Sequence, residues 1–223
     1  MKQILILLVV LAALVGALLL IANFTNARAP LPFNTPANLT MQTGQIHEDT
    51  DTYAINVQYP QFGVAAIDDQ IQKAVEDAAD EIRSYPPNPP DSAVTQNTLD
   101  GSFDKVYMGP DIVSLELELS QYTGGAHPMT ILSGMNFDRA TGKRLGLDDA
   151  LKLIGRSVAE VSAEATLQFR SKFTDAFFSE GADTNPENYS SFVISDKKVT
   201  FIFQSYQVAA YAAGPQEVSF ERK

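Results

Sequence analysis

Hydrophobic and polar residues alternate with two different periods beyond residue 50. From Thr52 to Tyr59 the side chains alternate as in a half-buried strand, and Pro60 is expected to end it. From Ala65 to Arg83 apolar residues recur at helical spacing, while acidic residues occupy the opposite face. The pattern predicts a strand followed by an amphipathic helix that lies on a sheet.

Three extended segments follow. They run from Val94 to Met108 with a break at Asp100-Gly101, from Ile112 to Tyr122, and from Met129 to Asp138. Short connections join them, so the pattern predicts an antiparallel meander.

The segment Ile112 to Tyr122 has one apolar face and one polar face that carries Glu116 and Glu118. These two carboxylates superficially resemble a catalytic acid/base pair. A solvated strand face is the favoured interpretation, because no second catalytic element visibly converges on the pair.

The C-terminal part of the chain predicts further helices and strands. A short helix over Gly146 to Ile154 should end at Gly155, and Ser157 to Glu160 fits a capping box that starts a longer helix. Apolar residues recur every four positions along that longer helix, and the stripe predicts core contacts at Val161, Ala165, Phe169, Phe173 and Phe177.

Three short strands complete the predicted fold. Phe192 to Ser195 and Val199 to Gln204 flank a turn as a hairpin, and Glu217 to Glu221 forms the last strand. The predicted fold class is α+β: a mostly antiparallel sheet covered by two amphipathic helices, preceded by one N-terminal transmembrane or signal helix.

The most apolar segment of the chain is Ile4 to Ala22, which contains no charge and no proline. Its length is close to the roughly 20 residues that span a bilayer, which favours a signal anchor, and a cleaved signal peptide remains the alternative. Residues 23–49 are rich in Pro, Thr and Asn and are predicted to form a tether. The predicted organisation is therefore 1–22 signal anchor or signal peptide, 23–49 tether and 50–223 one α+β extracytoplasmic domain.

Composition and charge exclude several kinds of chemistry. The 16 basic and 27 acidic residues give a net charge of -11, which argues against nucleic acid as a partner. The chain has no cysteine and only two histidines, His47 and His127, so neither a thiolate site nor a multi-histidine metal site is expected. We predict no metal and no cofactor.

Three motifs resemble a known family when they are taken together. They are Tyr122-Thr123-Gly124-Gly125-Ala126-His127; Asn136-Phe137-Asp138 with Thr141-Gly142-Lys143; and the segment from Phe203 to Pro215, which contains Tyr206-Gln207-Val208-Ala209-Ala210-Tyr211. The chain resembles the extracytoplasmic domain of unknown function that is shared by RsiV-type anti-sigma factors and the N-terminal region of PdaC-type peptidoglycan deacetylases. The resemblance runs from about Thr52 to Phe220.

The resemblance implies an envelope-facing binding module. In the RsiV branch it implies a sensor domain that binds lysozyme, although Met1 to Gln3 is too short to hold a sigma factor. In the PdaC branch the deacetylase chemistry belongs to a separate metal-dependent domain whose motifs this chain does not carry. The family therefore supplies no catalytic residue to transfer.

The predicted function is a membrane-tethered extracytoplasmic binding or sensor domain that recognises a lysozyme-like protein or a peptidoglycan-related glycan. Candidate ligand-binding residues are Tyr122, Thr123, Gly124, Gly125, His127, Tyr206 and Tyr211. The alternatives are an envelope hydrolase that uses His127 and a purely structural envelope protein. The predicted location is the cell membrane with the C-terminal domain outside the cytoplasm, or a secreted form if the signal is cleaved.

The segment from Tyr122 to Pro128 leaves two roles for its histidine. Consecutive glycines allow a sharp bend, and His127 then either holds the turn by a local hydrogen bond or joins Tyr122 and Thr123 in contacting a ligand. The two tyrosines of the third motif, Tyr206 and Tyr211, are expected to be buried.

Overall fold

The computed structural model describes residues 39–223 except position 93, and the predicted anchor at Ile4 to Ala22 lies outside these residues. The strands are β1 Gln42–Asp49, β2 Tyr53–Gln61, β3 Asn97–Met108, β4 Ile112–Tyr122, β5 Met129–Asp138, β6 Phe192–Ile194, β7 Lys198–Phe203 and β8 Gln216–Glu221. The helices are α1 Ala65–Ser84, α2 Leu147–Ile154 and α3 Val158–Phe173. Among the described residues, no helix is both long enough and apolar enough to cross a membrane.

Strands β1 to β5 form one sheet in sequence order. All neighbouring pairs are antiparallel except β2 and β3, which run parallel. A parallel pair needs a crossover connection, and helix α1 supplies it because it lies between β2 and β3 in the chain. The α+β class and the mostly antiparallel sheet predicted from the sequence are confirmed.

The predicted tether at 23–49 is wrong for its last residues, because Gln42–Asp49 forms strand β1. The strand pairs along its whole length with β2, from Gln42 opposite Gln61 to Asp49 opposite Ala54. Only Ile46 is buried in β1, so the strand has almost no alternation of apolar and polar residues. Backbone pairing with β2 holds this edge strand where the side-chain pattern gives no signal.

Helix α1 covers one face of the five-stranded sheet. It buries one apolar stripe, formed by Ile67, Ile71, Val75, Ala79 and Ile82. The Asp68 carboxylate accepts hydrogen bonds from the backbone amides of Phe62 (2.7 Å) and Val64 (3.0 Å), which fixes the entry into the helix. At the other end, Arg83 forms an ion pair with Glu48 of β1.

A second sheet makes the architecture differ from the single sheet with two covering helices that the sequence predicts. Strands β6, β7 and β8 form a separate antiparallel sheet, and helices α2 and α3 bury residues in the same core as its strands. The predicted short helix becomes α2, so the described residues contain three helices. The sequence signals each strand, but it does not signal which strands share hydrogen bonds.

The core of the second sheet is rich in aromatic rings. Phe203 meets Phe169 of α3 edge to face at 4.8 Å between ring centroids, and it meets Tyr189 in the same manner at 5.7 Å. The predicted burial of Phe169 is confirmed, at 3% exposed. Phe173 and Phe177 are only half-buried, because α3 ends at Phe173 and the backbone turns at Thr174 with φ of 51°.

A buried hydrogen-bond network joins the two sheets. Ser114 of β4 donates its hydroxyl proton to the Asn136 side chain (2.7 Å), and the Asn136 amide donates to the carbonyl of Phe192 (2.7 Å). The backbone amide of Ile194 donates to the Ser114 hydroxyl (2.8 Å). The sheets also approach closely at Gly134, where a Cβ atom would lie 1.7 Å from the Phe192 carbonyl oxygen.

An ion pair crosses the same boundary and corrects the prediction that Glu116 lies on a solvated face. Glu116 is 7% exposed, and Lys105 contacts both its carboxylate (2.8 Å) and that of Glu217 in β8. Burial opposes the charge of Lys105, but the hydrogen bonds with Glu116 and Glu217 raise the pKa of this ammonium group. Lys105 lies in a bulge of β3 with φ of 50°, whereas the strand continues through the predicted break at Asp100-Gly101.

Side chains occupy the outer edge of β5. The Gln204 side chain accepts from the backbone amide of Leu132 (3.0 Å) and donates to its carbonyl (2.8 Å), as a neighbouring strand would. The Ser191 hydroxyl accepts from the amide of Gly134 (3.0 Å), and Arg144 donates to its carbonyl (2.8 Å). The edge of the first sheet is therefore closed here by residues of the second region and by Arg144.

Candidate ligand-binding site

The connection between β4 and β5 carries the Gly-Gly motif. Gly124 and Gly125 have φ of 104° and 113°, a region that residues with a Cβ atom rarely adopt. A Cβ atom at either position would meet no heavy atom within 4 Å, so the backbone conformation requires these glycines and close packing does not. Tyr122 donates its hydroxyl proton to the Gly125 carbonyl (2.8 Å), which stabilises the bend.

A tight turn after β7 presents Tyr206. The backbone amide of Gln207 donates to the carbonyl of Gln204 (3.0 Å), and Tyr206 has φ of 69°. Turns with a positive φ at this position normally use Gly or Asn. The Gln207 side chain anchors the turn through hydrogen bonds to Gly181 (2.9 Å) and Asn188 (3.0 Å).

Three rings from these two connections meet at the surface, and we call His127, Tyr206 and Tyr211 the aromatic platform. The rings of His127 and Tyr211 are stacked, with centroids 3.7 Å apart and planes inclined by 16°. The Tyr206 ring lies 5.3 Å from Tyr211 and 6.2 Å from His127. The structure therefore brings His127 together with two candidate tyrosines that lie 79 and 84 positions further along the chain.

The predicted burial of the two tyrosines is wrong for Tyr206 and partly wrong for Tyr211. Tyr206 is 57% exposed, and Tyr211 is half-buried by the stacked His127 ring. The hydroxyl of Tyr211 donates to the carbonyl of Pro128 (3.4 Å), which ties the third motif to the β4–β5 connection. A left-handed backbone turns the Tyr206 ring outward, and residue type alone does not predict this.

The other candidate residues shape the connection and contribute no ring to the platform. Tyr122 and Thr123 are half-buried, and the two glycines form the bend. Whether they contact a ligand stays a prediction.

His127 is exposed, and its Nδ1 atom lies 2.8 Å from the carbonyl oxygen of Pro128. A general base needs hydrogen-bond reach to the proton that it removes and normally a third group that orients it. The contacts of His127 are instead two aromatic rings and a neighbouring main-chain carbonyl. Within residues 39–223, position 93 aside, no group of three or more His, Asp or Glu side chains is placed to hold a metal ion.

Sequence reasoning missed the residues that support the platform. Gln204 and Gln207 hold the turn, and Gln207 lies inside the third motif as a half-buried, uncharged side chain. It also missed Arg144, which lies on the edge of β5 beside a surface cavity. No pattern in the chain singles out this arginine.

Comparison with known families confirms the PdaC part of the resemblance predicted from the motifs, whereas the RsiV part stays a prediction. Residues 46–130 match the family described as deacetylase PdaC, and residues 149–223 match the family described as protein of unknown function DUF3298. The chain thus carries a PdaC-type segment followed by a DUF3298 segment. His127 comes from the first and both tyrosines of the aromatic platform come from the second, so the platform joins the two segments.

One curated relative is the peptidoglycan-N-acetylmuramic acid deacetylase PdaC of Bacillus subtilis. It is 26% identical over 181 residues, which cover 78% of this chain and 38% of the relative. The chain therefore spans less than two-fifths of the length of this curated relative.

Two solved structures share the fold. A DUF3298 family member from Bacteroides fragilis aligns with a TM-score of 0.54 and 18% identity, covering 84% of this chain and 92% of that one. A DUF3298 family protein from Pseudomonas aeruginosa aligns with a TM-score of 0.50 and 20% identity, covering 86% and 96%. At these identities the likeness establishes the fold alone.

Proposed function

We propose that this chain is a binding domain for a cell-envelope saccharide of the peptidoglycan type, and that the aromatic platform is its contact surface. The observation that carries the proposal is the exposed Tyr206 ring in a left-handed backbone beside the stacked rings of His127 and Tyr211. A non-glycine residue in this backbone region costs of order 1–3 kcal/mol, and such strain is concentrated at functional sites.

The chemistry of the platform suits a sugar ring. The C–H face of a pyranose is apolar and packs on an exposed aromatic ring, while its hydroxyl and acetamide groups pair with phenol and imidazole groups. Two tyrosines and one histidine offer both kinds of contact within 6.2 Å between ring centroids. The name of the Bacillus subtilis relative adds that a protein with a similar segment acts on N-acetylmuramic acid of peptidoglycan.

We propose further that this domain binds without catalysing a reaction. The support is the position of His127, which is exposed and contacts a main-chain carbonyl and two rings. Membrane attachment through residues 4–22 and an extracytoplasmic location belong to the same proposal, supported by the apolar N-terminal segment.

The proposal is tested by binding of the purified full chain to insoluble peptidoglycan and to chitotetraose, measured by co-sedimentation and calorimetry. Tyr206→Asn removes the ring but keeps a residue that tolerates positive φ, so the fold should remain intact. We expect binding to weaken at least about tenfold, equivalent to about 1.4 kcal/mol. Tyr85→Asn is the control, because Tyr85 is 37% exposed directly after α1 and its hydroxyl donates to Glu81 (3.2 Å), outside the aromatic platform.

Two outcomes would contradict the proposal. Equal losses in the Tyr206 and Tyr85 variants would remove the platform from the binding surface. The second outcome is a chain that binds a lysozyme but neither saccharide. The ligand would then be a basic protein and not a glycan, because the net charge of -11 attracts basic proteins.

His127→Ala separates recognition from a structural role in the turn. Under the proposal the variant keeps its thermal stability and loses saccharide affinity, because the exposed ring contributes a contact and little packing. A fall in thermal stability with an equal fall in binding would show that His127 only holds the turn.

A further inference from the structure

A surface cavity lies beside the outer edge of β5, on the same strand edge that leads to the aromatic platform. It has a volume of about 260 Å³ and is lined mainly by Ile131, Leu132, Arg144, Ser190, Ser191 and Gln204. Gln204 connects the two places, because it lines the cavity and is also the first residue of the turn that presents Tyr206.

Arg144 is the charged residue of this cavity. Its guanidinium donates one hydrogen bond to the Gly134 carbonyl (2.8 Å) and lies 5.3 Å above the Phe137 ring. Within the described part of the chain, no carboxylate lies within 4.0 Å of it. A guanidinium has five N–H donors, so Arg144 retains donors for another group.

Arg83 and Arg144 have different surroundings. Arg83 has ion pairs with three carboxylates, those of Glu48, Glu76 and Asp80. Desolvation by the surrounding protein also lowers the pKa of Arg144, and no neighbouring acid counteracts it.

We propose that this cavity binds a carboxylate of the same saccharide that stacks on the aromatic platform. Arg144 supplies the bidentate, charge-assisted pairing that a planar carboxylate takes. The Ser191 and Gln204 side chains already bond to β5 and form the wall. This inference rests on the proposed function and names the acidic group of its ligand.

The spacing sets the size of that ligand. Pro128 and Gly134 are six positions apart along β5 and its entry, which corresponds to roughly 20 Å of extended chain. A single sugar cannot reach from Arg144 to His127, whereas an oligosaccharide can. The carboxylate can come from the lactyl ether of muramic acid or from an attached peptide.

Three tetrasaccharides test the inference by calorimetry with the full chain: chitotetraose without a carboxylate, a peptide-free glycan tetrasaccharide with lactyl carboxylates, and the same glycan with stem peptides. Arg144→Gln keeps an amide donor for the Gly134 carbonyl and removes the charge. We expect this variant to bind at least one of the two acidic glycans at least about tenfold more weakly than the natural chain does, and to bind chitotetraose with unchanged affinity. Arg156→Gln is the matched control, because Arg156 also lies over an aromatic ring, at 5.2 Å from Phe220.

The three probes distinguish the two sources of the carboxylate and separate failure of this inference from failure of the proposed function. A loss with the peptide-free glycan identifies the lactyl carboxylate, and a loss only with the peptide-bearing glycan identifies the peptide. Unchanged affinity of Arg144→Gln for both acidic probes, or an equal loss for chitotetraose, overturns the inference while the platform still binds sugar. If the natural chain binds no tetrasaccharide, the proposed function fails. The carboxylate site is then tested alone by NMR: the Arg144 Nε–H signal should shift with N-acetylmuramic acid and not with N-acetylglucosamine, and no shift with either sugar overturns the inference.

Discussion

The five-stranded sheet and the three-stranded sheet bury different kinds of side chain. The first core, between β2–β5 and α1, is mainly aliphatic, with regular stripes such as Ile67, Ile71 and Val75. The second core, between β6–β8 and the helices α2 and α3, is built around aromatic rings, with Tyr189, Phe201 and Phe203 meeting edge to face. The first region follows regular elements closely, whereas the second uses several short 3-10 turns.

Irregular backbone occurs in both regions at the surface connections. The turn with Tyr206 and the 3-10 turn at Tyr211–Ala213 both belong to the second region, and the bend at Gly124-Gly125 belongs to the first. Rigid packing beneath both regions fixes these connections, so strained residues persist at the surface. The aromatic platform forms where the irregular parts of the two regions meet.

The largest expected effect tests the aromatic core itself. Phe169→Ala should lower the free energy of unfolding by about 3–5 kcal/mol, because it removes a buried ring that packs on Phe203. Phe177→Ala should cost clearly less, since that ring is half-buried beyond the end of α3. Chemical denaturation measures both, and equal costs would contradict the boundary that we place at the helix end.

A smaller effect tests the junction between the two regions. Asn136→Ala should cost about 2 kcal/mol, because the Phe192 carbonyl loses its donor and the Ser114 hydroxyl loses its acceptor in a buried place. Asn56→Ala on the exposed face of β2 is the control and should change stability by less than about 0.5 kcal/mol. A neutral result at Asn136 would show that the two sheets do not depend on this network.

The smallest expected effect is a dependence on acid at the end of β5. Hydrogen bonds from the Thr141 hydroxyl (2.7 Å) and amide (2.8 Å) lower the pKa of Asp138. The unfolded pKa is about 3.9, so this contribution is fully present above about pH 5 and is lost as the pH falls through the lower folded pKa. Thr141→Ala should therefore reduce the loss of stability on acidification, and an unchanged NMR titration of Asp138 would contradict the assignment.

Regular elements could be predicted from the sequence because burial and periodicity coincide in them. The predicted bounds of β4 and β5 match the structure, and helix α1 begins at the predicted residue. Strand β1 could not be predicted, because Ile46 is its one buried residue and pairing with β2 determines it.

The candidate site was predictable in its members but not in its geometry. The motifs place His127, Tyr206 and Tyr211 among the candidates, but neither pattern nor spacing indicates that their rings stack. The outward position of Tyr206 depends on a backbone angle that Gln207 and its distant partners hold. Arg144 could not be singled out for a similar reason, since its position at a surface cavity depends on residues that are distant in the chain.

The closed edge of β5 has a consequence for how many copies of this domain can be crowded together. An open sheet edge recruits the edge of a second molecule, and this tendency grows with local concentration. At Leu132 and Gly134 the main-chain groups already bond to side chains of Gln204, Ser191 and Arg144. A second molecule that approaches this part of β5 therefore finds the main-chain groups of Leu132 and Gly134 already bonded and cannot extend the sheet there.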